Sequence, residues 1–243
     1  STPIARRTAF KTGAIDIPVD ERRMHKKPIA RLGGLAIAAG FLITVLFNVI
    51  VTLLGLDAFP VDQKLLGLIA GILVIECMGV ADDIKPLKAR VKLLFQLLAA
   101  VAVVISGTQI GILTNPFSAT GITVLPTYIS IPLTIFWIVG ITNAFNFIDG
   151  LDGLAAGVSS IASLSLLFVS VMRVDIGPDI YTAVITASLA GATLGFLPYN
   201  FNPAKIFMGE TGSAFLGFTL GVISIQGTLK AYTAISIAIP LLA

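Results

Sequence analysis

Three stretches of this sequence carry side chains suited to handling phosphate and a divalent cation. Asp82 and Asp83 stand side by side at the end of an apolar run, in Gly79-Val80-Ala81-Asp82-Asp83. Paired carboxylates at a membrane surface suit a divalent cation or a general base. A solvated helix end is the plain alternative, although helix C-termini favour cations over acids.

The second stretch is the strongest. Asn143, Asn146, Asp149 and Asp152 recur every third residue, framed by Gly150 and Gly153. On a regular helix such a row drifts round about half the surface, so the glycines predict a break that lets the four side chains converge. Glycine also lets backbone approach a ligand closely. The third stretch is a turn-rich connector, residues 198–213, with Glu210 between Gly209 and Gly212. Thr211 and Ser213 read there as caps of the next helix. Glu210 stays open as a metal ligand, at a helix start that favours phosphate. Lys92, with Gln96 one turn on, is the best basic phosphate contact, and Glu76 is a suspect because acids inside spans are functional by default. His25 reads as a surface histidine.

These residues need elements to hold them, and the composition says which. Of 243 residues, 56% are hydrophobic and 12% charged, roughly half the charge of a soluble domain. The single cysteine, Cys77, excludes an internal disulfide and a cysteine zinc cluster. Long charge-poor runs follow one another: Gly33–Leu56, Leu65–Ala81, Leu93–Ile148, Gly153–Met172, Ile180–Ala204, Thr211–Leu229 and Ala231–Ala243. The third run is long enough for two spans. The expected fold is therefore an all-α polytopic membrane bundle of seven complete spans and a truncated eighth, as one transmembrane domain over residues 1–243, in a chain that reads as a fragment of something longer. Lipid-exposed backbone must satisfy its own hydrogen bonds, which selects helices here.

Alternation across the bilayer sorts the connectors. Thirteen of the 16 Lys and Arg fall on one face, and Lys64, Arg173 and Lys230 on the other. The positive-inside rule makes the first face cytoplasmic. The basic surplus is thus topology, and nucleic-acid binding drops out. Asp82, Asp83, Asp149, Asp152 and Glu210, from three distant connectors, all fall on that cytoplasmic face. Asp57, Asp62, Asp175 and Asp179 fall on the outer face, where loop solvation accounts for them.

At these motifs the chain resembles the polyprenyl-phosphate N-acetylhexosamine-1-phosphate transferase family. The match runs in order through His25-Lys26-Lys27-Pro28, Arg31-Leu32-Gly33-Gly34, Asp82-Asp83, Lys92 to Gln96, Asn143 to Leu154 and Phe207 to Ser213. The opening motif looks more like the UDP-N-acetylglucosamine branch than the phospho-MurNAc-pentapeptide branch. The resemblance implies a bundle of about ten or eleven helices in the parent protein, in a bacterial inner (plasma) membrane, with a site facing the cytoplasm. It implies transfer of a sugar-1-phosphate from a UDP-N-acetylhexosamine to a polyprenyl (undecaprenyl) phosphate, release of UMP and a need for Mg²⁺, with Mn²⁺ as a substitute. A homodimer is left open.

The resemblance also implies roles. Asp82 is base or nucleophile towards the lipid phosphate, Asp83 its partner, and Asp149 a third catalytic acid. Glu210 is the metal ligand together with Asp82, at a position where the family usually has aspartate. Asn143 and Asn146 line the same cleft, Asp152, Asn200 and Phe207 form a nucleotide pocket, and Lys27 and Lys92 contact phosphates. An ion-coupled transporter is the rival, but transporters hold ligands near the midplane in related halves. An inactive membrane scaffold is the other.

Overall fold

The structure is a computed structural model that describes residues 1–17, 28–56, 59–114, 122–172 and 179–226. Lys27, His25 and the expected eighth span lie outside the described residues.

The described chain opens with α1 (Thr2–Thr12) and a short antiparallel pair, β1 (Ile15–Asp16) and β2 (Ile29–Ala30). Then come α2 (Gly33–Leu53), α3 (Gln63–Ile84), α4 (Ala89–Ile105), a hairpin of β3 (Ile112–Thr114) and β4 (Ile122–Val124), α5 (Thr127–Ile148), α6 (Leu154–Val171), α7 (Ile180–Asn200) and α8 (Gly209–Gln226). The N-terminal segment, expected as a plain connector, thus contains a helix; α1 buries Thr2, Ala5 and Ala9.

Helices α2 to α8 match the seven expected spans one for one. Five of them, α2, α3, α5, α6 and α7, are long and apolar enough to cross a membrane by themselves. The other two fall short for physical reasons. Helix α4 has only 17 residues. Helix α8 is the axis of the bundle, packed by α2, α3 and α5, and every residue from Gly209 to Ile225 is buried. A span that neighbours shield from lipid can carry Glu210, Thr211, Ser213 and Thr219 without facing hydrocarbon.

Close approach to α8 depends on small residues, as in many membrane interfaces. Gly34 of α2 lies against the backbone of Thr211 and Gly212, and Gly79 of α3 against Thr211; a Cβ at either would collide. Further along, Trp137 of α5 donates from Nε1 to Ser224 Oγ of α8 at 2.8 Å. Two of the acids expected on the outer face do more than solvate loops: Asp62 accepts from the Leu65 N–H as N-cap of α3, and Asp179 from the Thr182 N–H as N-cap of α7.

Candidate active site

The ends of seven helices meet at one end of the bundle: the N-terminus of α2, the C-terminus of α3 with the start of α4, that of α5 with the start of α6, and that of α7 with the start of α8. The alternation read from the charges delivers the acids there. Helix α5 stops at Ile148, and Gly153, at φ 77°, starts α6. That break leaves Asn143 and Asn146 on the last turns of α5, Asp149 at its C-cap and Asp152 in the turn.

Glu210, in the first turn of α8, is the hub. Asn146 Nδ2 donates to both its carboxylate oxygens, at 2.8 and 2.7 Å. Lys92 Nζ lies 3.0 Å from Glu210 Oε2 and 3.0 Å from Asp82 Oδ2. Two carboxylates therefore converge on one cation, while the other Asp82 oxygen accepts from the Leu87 N–H at 2.7 Å. Behind this set, Asn143 Nδ2 donates to Gln96 Oε1 at 2.7 Å and to the Val139 carbonyl at 2.8 Å.

Asp83 is used differently from its neighbour. Its Oδ1 accepts from the Glu210 N–H at 2.9 Å, and its Oδ2 from the Thr211 N–H and hydroxyl at 3.0 and 2.6 Å. It is the N-cap that α8 lacks within its own chain segment. The capping role expected of Thr211 and Ser213 is thus filled from another helix: Thr211 donates to Asp83, and Ser213 Oγ donates back to the Gly209 carbonyl. Gly209, at φ 73°, sits so close to Asp83 and the Arg31 carbonyl that no side chain fits.

A cleft of about 660 Å³ opens beside Glu210, lined among others by Asn146, Asp149, Asp152, Asn200, Phe207 and Glu210. These six expected residues come together on one wall. Asp82, Asp83, Lys92 and Asn143 do not line it: Lys92 joins Asp82 to Glu210, Asp83 accepts from the Glu210 N–H, and Asn143 pairs with Gln96. Asp152 is fixed by Asn202 Nδ2 at 3.1 Å and the Ala204 N–H at 3.0 Å. Asn200 ties the Gly153 N–H to the Ile206 carbonyl, both at 3.1 Å, so it shapes the wall by joining the α6 start to the α8 approach. Phe207 pairs through its backbone with Ala30 and Gly33, at 2.8 and 3.0 Å.

Asp149 lines the same cleft. Burial, then the charges of Asp83 and Glu210, push its carboxyl up to about 8, with Arg31 opposing. The site thus favours its protonated form, which is able to donate.

Arg31, Asp16 and Asn202 also line this cleft and were not singled out as site residues from the sequence. Arg31 had one available signal, its place two residues before Gly33-Gly34. Asp16 and Asn202 had none, because only the folded connectors bring them here.

The donor set fits a hard divalent cation. Asp82 and Glu210 offer carboxylate oxygens around a point that a lysine ammonium now neutralises, and Mg²⁺ is commonly held by one or two carboxylates plus substrate phosphates. Among the described residues no three His, Cys, Asp or Glu side chains group as a metal cluster.

Several known proteins resemble this chain over most of its length. The chain is 41% identical over 241 residues to the probable undecaprenyl-phosphate N-acetylglucosaminyl 1-phosphate transferase of Bacillus subtilis, covering 99% of this chain and 63% of that protein. It is 40% identical over 220 residues to the decaprenyl-phosphate N-acetylglucosaminephosphotransferase of Mycolicibacterium smegmatis (89% of this chain, 54% of that protein). It is 38% identical over 196 residues to a phospho-N-acetylmuramoyl-pentapeptide-transferase of Caldanaerobacter subterraneus (74% and 58%). The chain thus spans less than two-thirds of the length of these relatives. The family model for glycosyl transferase family 4 matches residues 65–228, a stretch that contains Asp82, Lys92, the Asn143–Asp152 row and Glu210. By that match and those identities, the chain belongs to glycosyl transferase family 4.

Proposed function

We propose that the protein transfers N-acetylglucosamine-1-phosphate from UDP-N-acetylglucosamine to a polyprenyl phosphate, releasing UMP, with Mg²⁺, at the cytoplasmic face of a bacterial plasma membrane. The observation that carries this reading is the Asp82–Lys92–Glu210–Asn146 constellation beside a cleft at the end of a membrane bundle. The names of the relatives, and the face to which the basic residues are biased, support it.

In this reaction an oxygen of the acceptor phosphate bonds to the sugar-bearing phosphorus of the donor, and the bond from that phosphorus to UMP breaks. Such transfers depend on positioning and charge neutralisation more than on covalent machinery. Mg²⁺, held by Glu210 and Asp82, would neutralise charge developing on the diphosphate. The chain's own groups do the rest. Asn146 orients Glu210, and Asp83 fixes the start of α8 that carries it. Asp82 acts as base towards the lipid phosphate, which arrives along the membrane. Lys92, already between the two carboxylates, is placed to follow the phosphate charge. Protonated Asp149 donates to a phosphate or sugar oxygen, and the wall of Asp152, Asn200 and Phe207 receives the nucleoside.

The test is release of UMP by the purified protein from UDP-N-acetylglucosamine, undecaprenyl phosphate and Mg²⁺. Failure to release UMP with any UDP-N-acetylhexosamine would overturn the reading. Release from the UDP-MurNAc-pentapeptide alone would move the protein to the other branch.

A further inference from the structure

The cleft is an unpromising place for an anion. Its described lining carries Asp16, Asp149, Asp152 and Glu210, and a single cationic side chain, Arg31. Even with Asp149 protonated, a nucleoside diphosphate entering there meets the carboxylates of Asp16, Asp152 and Glu210, and Arg31 is the one cationic side chain of the described lining placed to receive it beside any metal. Lys92 is held between Asp82 and Glu210 at 3.0 Å each and lies outside the lining. Arg31 is much less committed: its one ion pair among the described residues is to Asp83 Oδ1, at 3.8 Å from Nη2, and its side chain is 36% exposed.

The backbone beneath this guanidinium is fixed. The Arg31 N–H donates to the Ala14 carbonyl at 3.0 Å, and the Phe207 N–H to the Ala30 carbonyl at 2.8 Å. Ala30 also bridges Ile206, and the Arg31 carbonyl packs on Gly209. β2 is thereby fastened to the approach to α8, directly beside Phe207 and Glu210. A planar fork on a fixed base matches two oxygens of one phosphate better than an ammonium does.

Building on the proposed function, we propose that Arg31 is the donor-diphosphate clamp, a binding residue that receives the phosphate distal to the uridine. Phosphate oxyanions come from two sources here, the sugar nucleotide and the acceptor lipid. The nucleotide is favoured because Arg31 shares the cleft wall with Asp152, Asn200 and Phe207, whereas Asp82 lies outside it.

The test compares UDP and UMP binding to the purified protein by calorimetry, in EDTA so that no metal contributes, for wild type, Arg31→Met and Arg31→Lys. The wild type is expected to prefer UDP, and Arg31→Met to lose that preference by about ten- to a hundredfold while UMP affinity changes little. Arg31→Lys, which keeps the charge without the fork, should fall between and covers the case in which the methionine variant does not fold. Equal losses for UMP and UDP would overturn the inference by making Arg31 a structural prop. An unchanged preference would overturn it too, and if the KM for polyprenyl phosphate rises instead, the clamp belongs to the acceptor. A wild type that binds neither nucleotide even with Mg²⁺ restored would count against the proposed function itself and would remove this inference with it, whereas binding only with Mg²⁺ would overturn the clamp alone.

Discussion

The two ends of the bundle use aspartate in opposite ways. At the end away from the cleft, Asp62 and Asp179 cap their own helices, accepting from N–H groups three residues on. At the other end, Asp83 accepts from Glu210 and Thr211, 127 and 128 residues away, and Lys92 joins α4 to α3 and α8. The first arrangement closes on itself and finishes a helix. The second leaves each element dependent on another, so that four connectors become one site. An N-cap is a local device worth about 0.5–2 kcal/mol wherever it occurs. When the acceptor is borrowed from a different helix, the same bond also fixes where that helix begins, and with it the side chain in its first turn.

The largest expected effect comes from breaking the long-range end at its charges. Asp82→Asn or Glu210→Gln is expected to lower UMP release by at least about a hundredfold, with the protein still inserted and folded by thermal melting. Near wild-type turnover in either variant would remove that residue from the chemistry.

Asp83→Asn tests the borrowed cap. One amide oxygen cannot replace two carboxylate oxygens, so buried N–H groups at the start of α8 lose partners at a cost of about 1–3 kcal/mol. Stability and activity should fall together, with Asp83→Asn lower in melting temperature than Asp82→Asn. The reverse order would place Asp83 in the chemistry and not in the cap.

Asp149 gives a pH signature. Its carboxyl is pushed up to about 8 from 3.8 in the folded protein, so the fold favours its protonated form. The stability this contributes is fully present below the unfolded value and is lost as pH rises through the folded one. Wild-type melting temperature should therefore decline between about pH 4 and pH 8 more than that of Asp149→Asn, which has no proton to lose. Parallel curves would mean that the site tolerates the charge.

Asp62→Ala, at the other end, sharpens the contrast from below. It should lower stability by about 1 kcal/mol through the lost cap and leave UMP release unchanged. A loss of activity there would mean that the two ends are coupled.

Much of this was legible beforehand because it is local or periodic. The seven helices follow from charge-poor runs of near-bilayer length, and the break after Ile148 from Gly150 and Gly153. That Asp82, Asp149, Asp152 and Glu210 share one end follows from counting crossings. Other features were not legible. Thr211 and Ser213 resemble caps by spacing alone, yet Asp83 does the capping, because a helix packed within reach offers a better acceptor than a neighbouring hydroxyl. Asn200 lines the cleft as expected, but nothing in the sequence shows that its amide joins two backbone segments. Arg31 lay two residues before a glycine pair, and only the pairing of Ala30 with Ile206 and Phe207 puts it over the cleft.

The sequence by itself determined that this is a helical membrane protein with Asp82, Asp83, Asp149, Asp152 and Glu210 at one end, because the bilayer imposes a fixed length on apolar runs and reverses the chain at each crossing. Tertiary structure decided what each acid does. Two adjacent aspartates of identical chemistry were separated by their partners: Asp82 faces an ammonium, and Asp83 faces the N–H groups that open α8. Those partners come from helices more than 100 residues apart in some cases, and only packing across the bundle fixes distances of that kind.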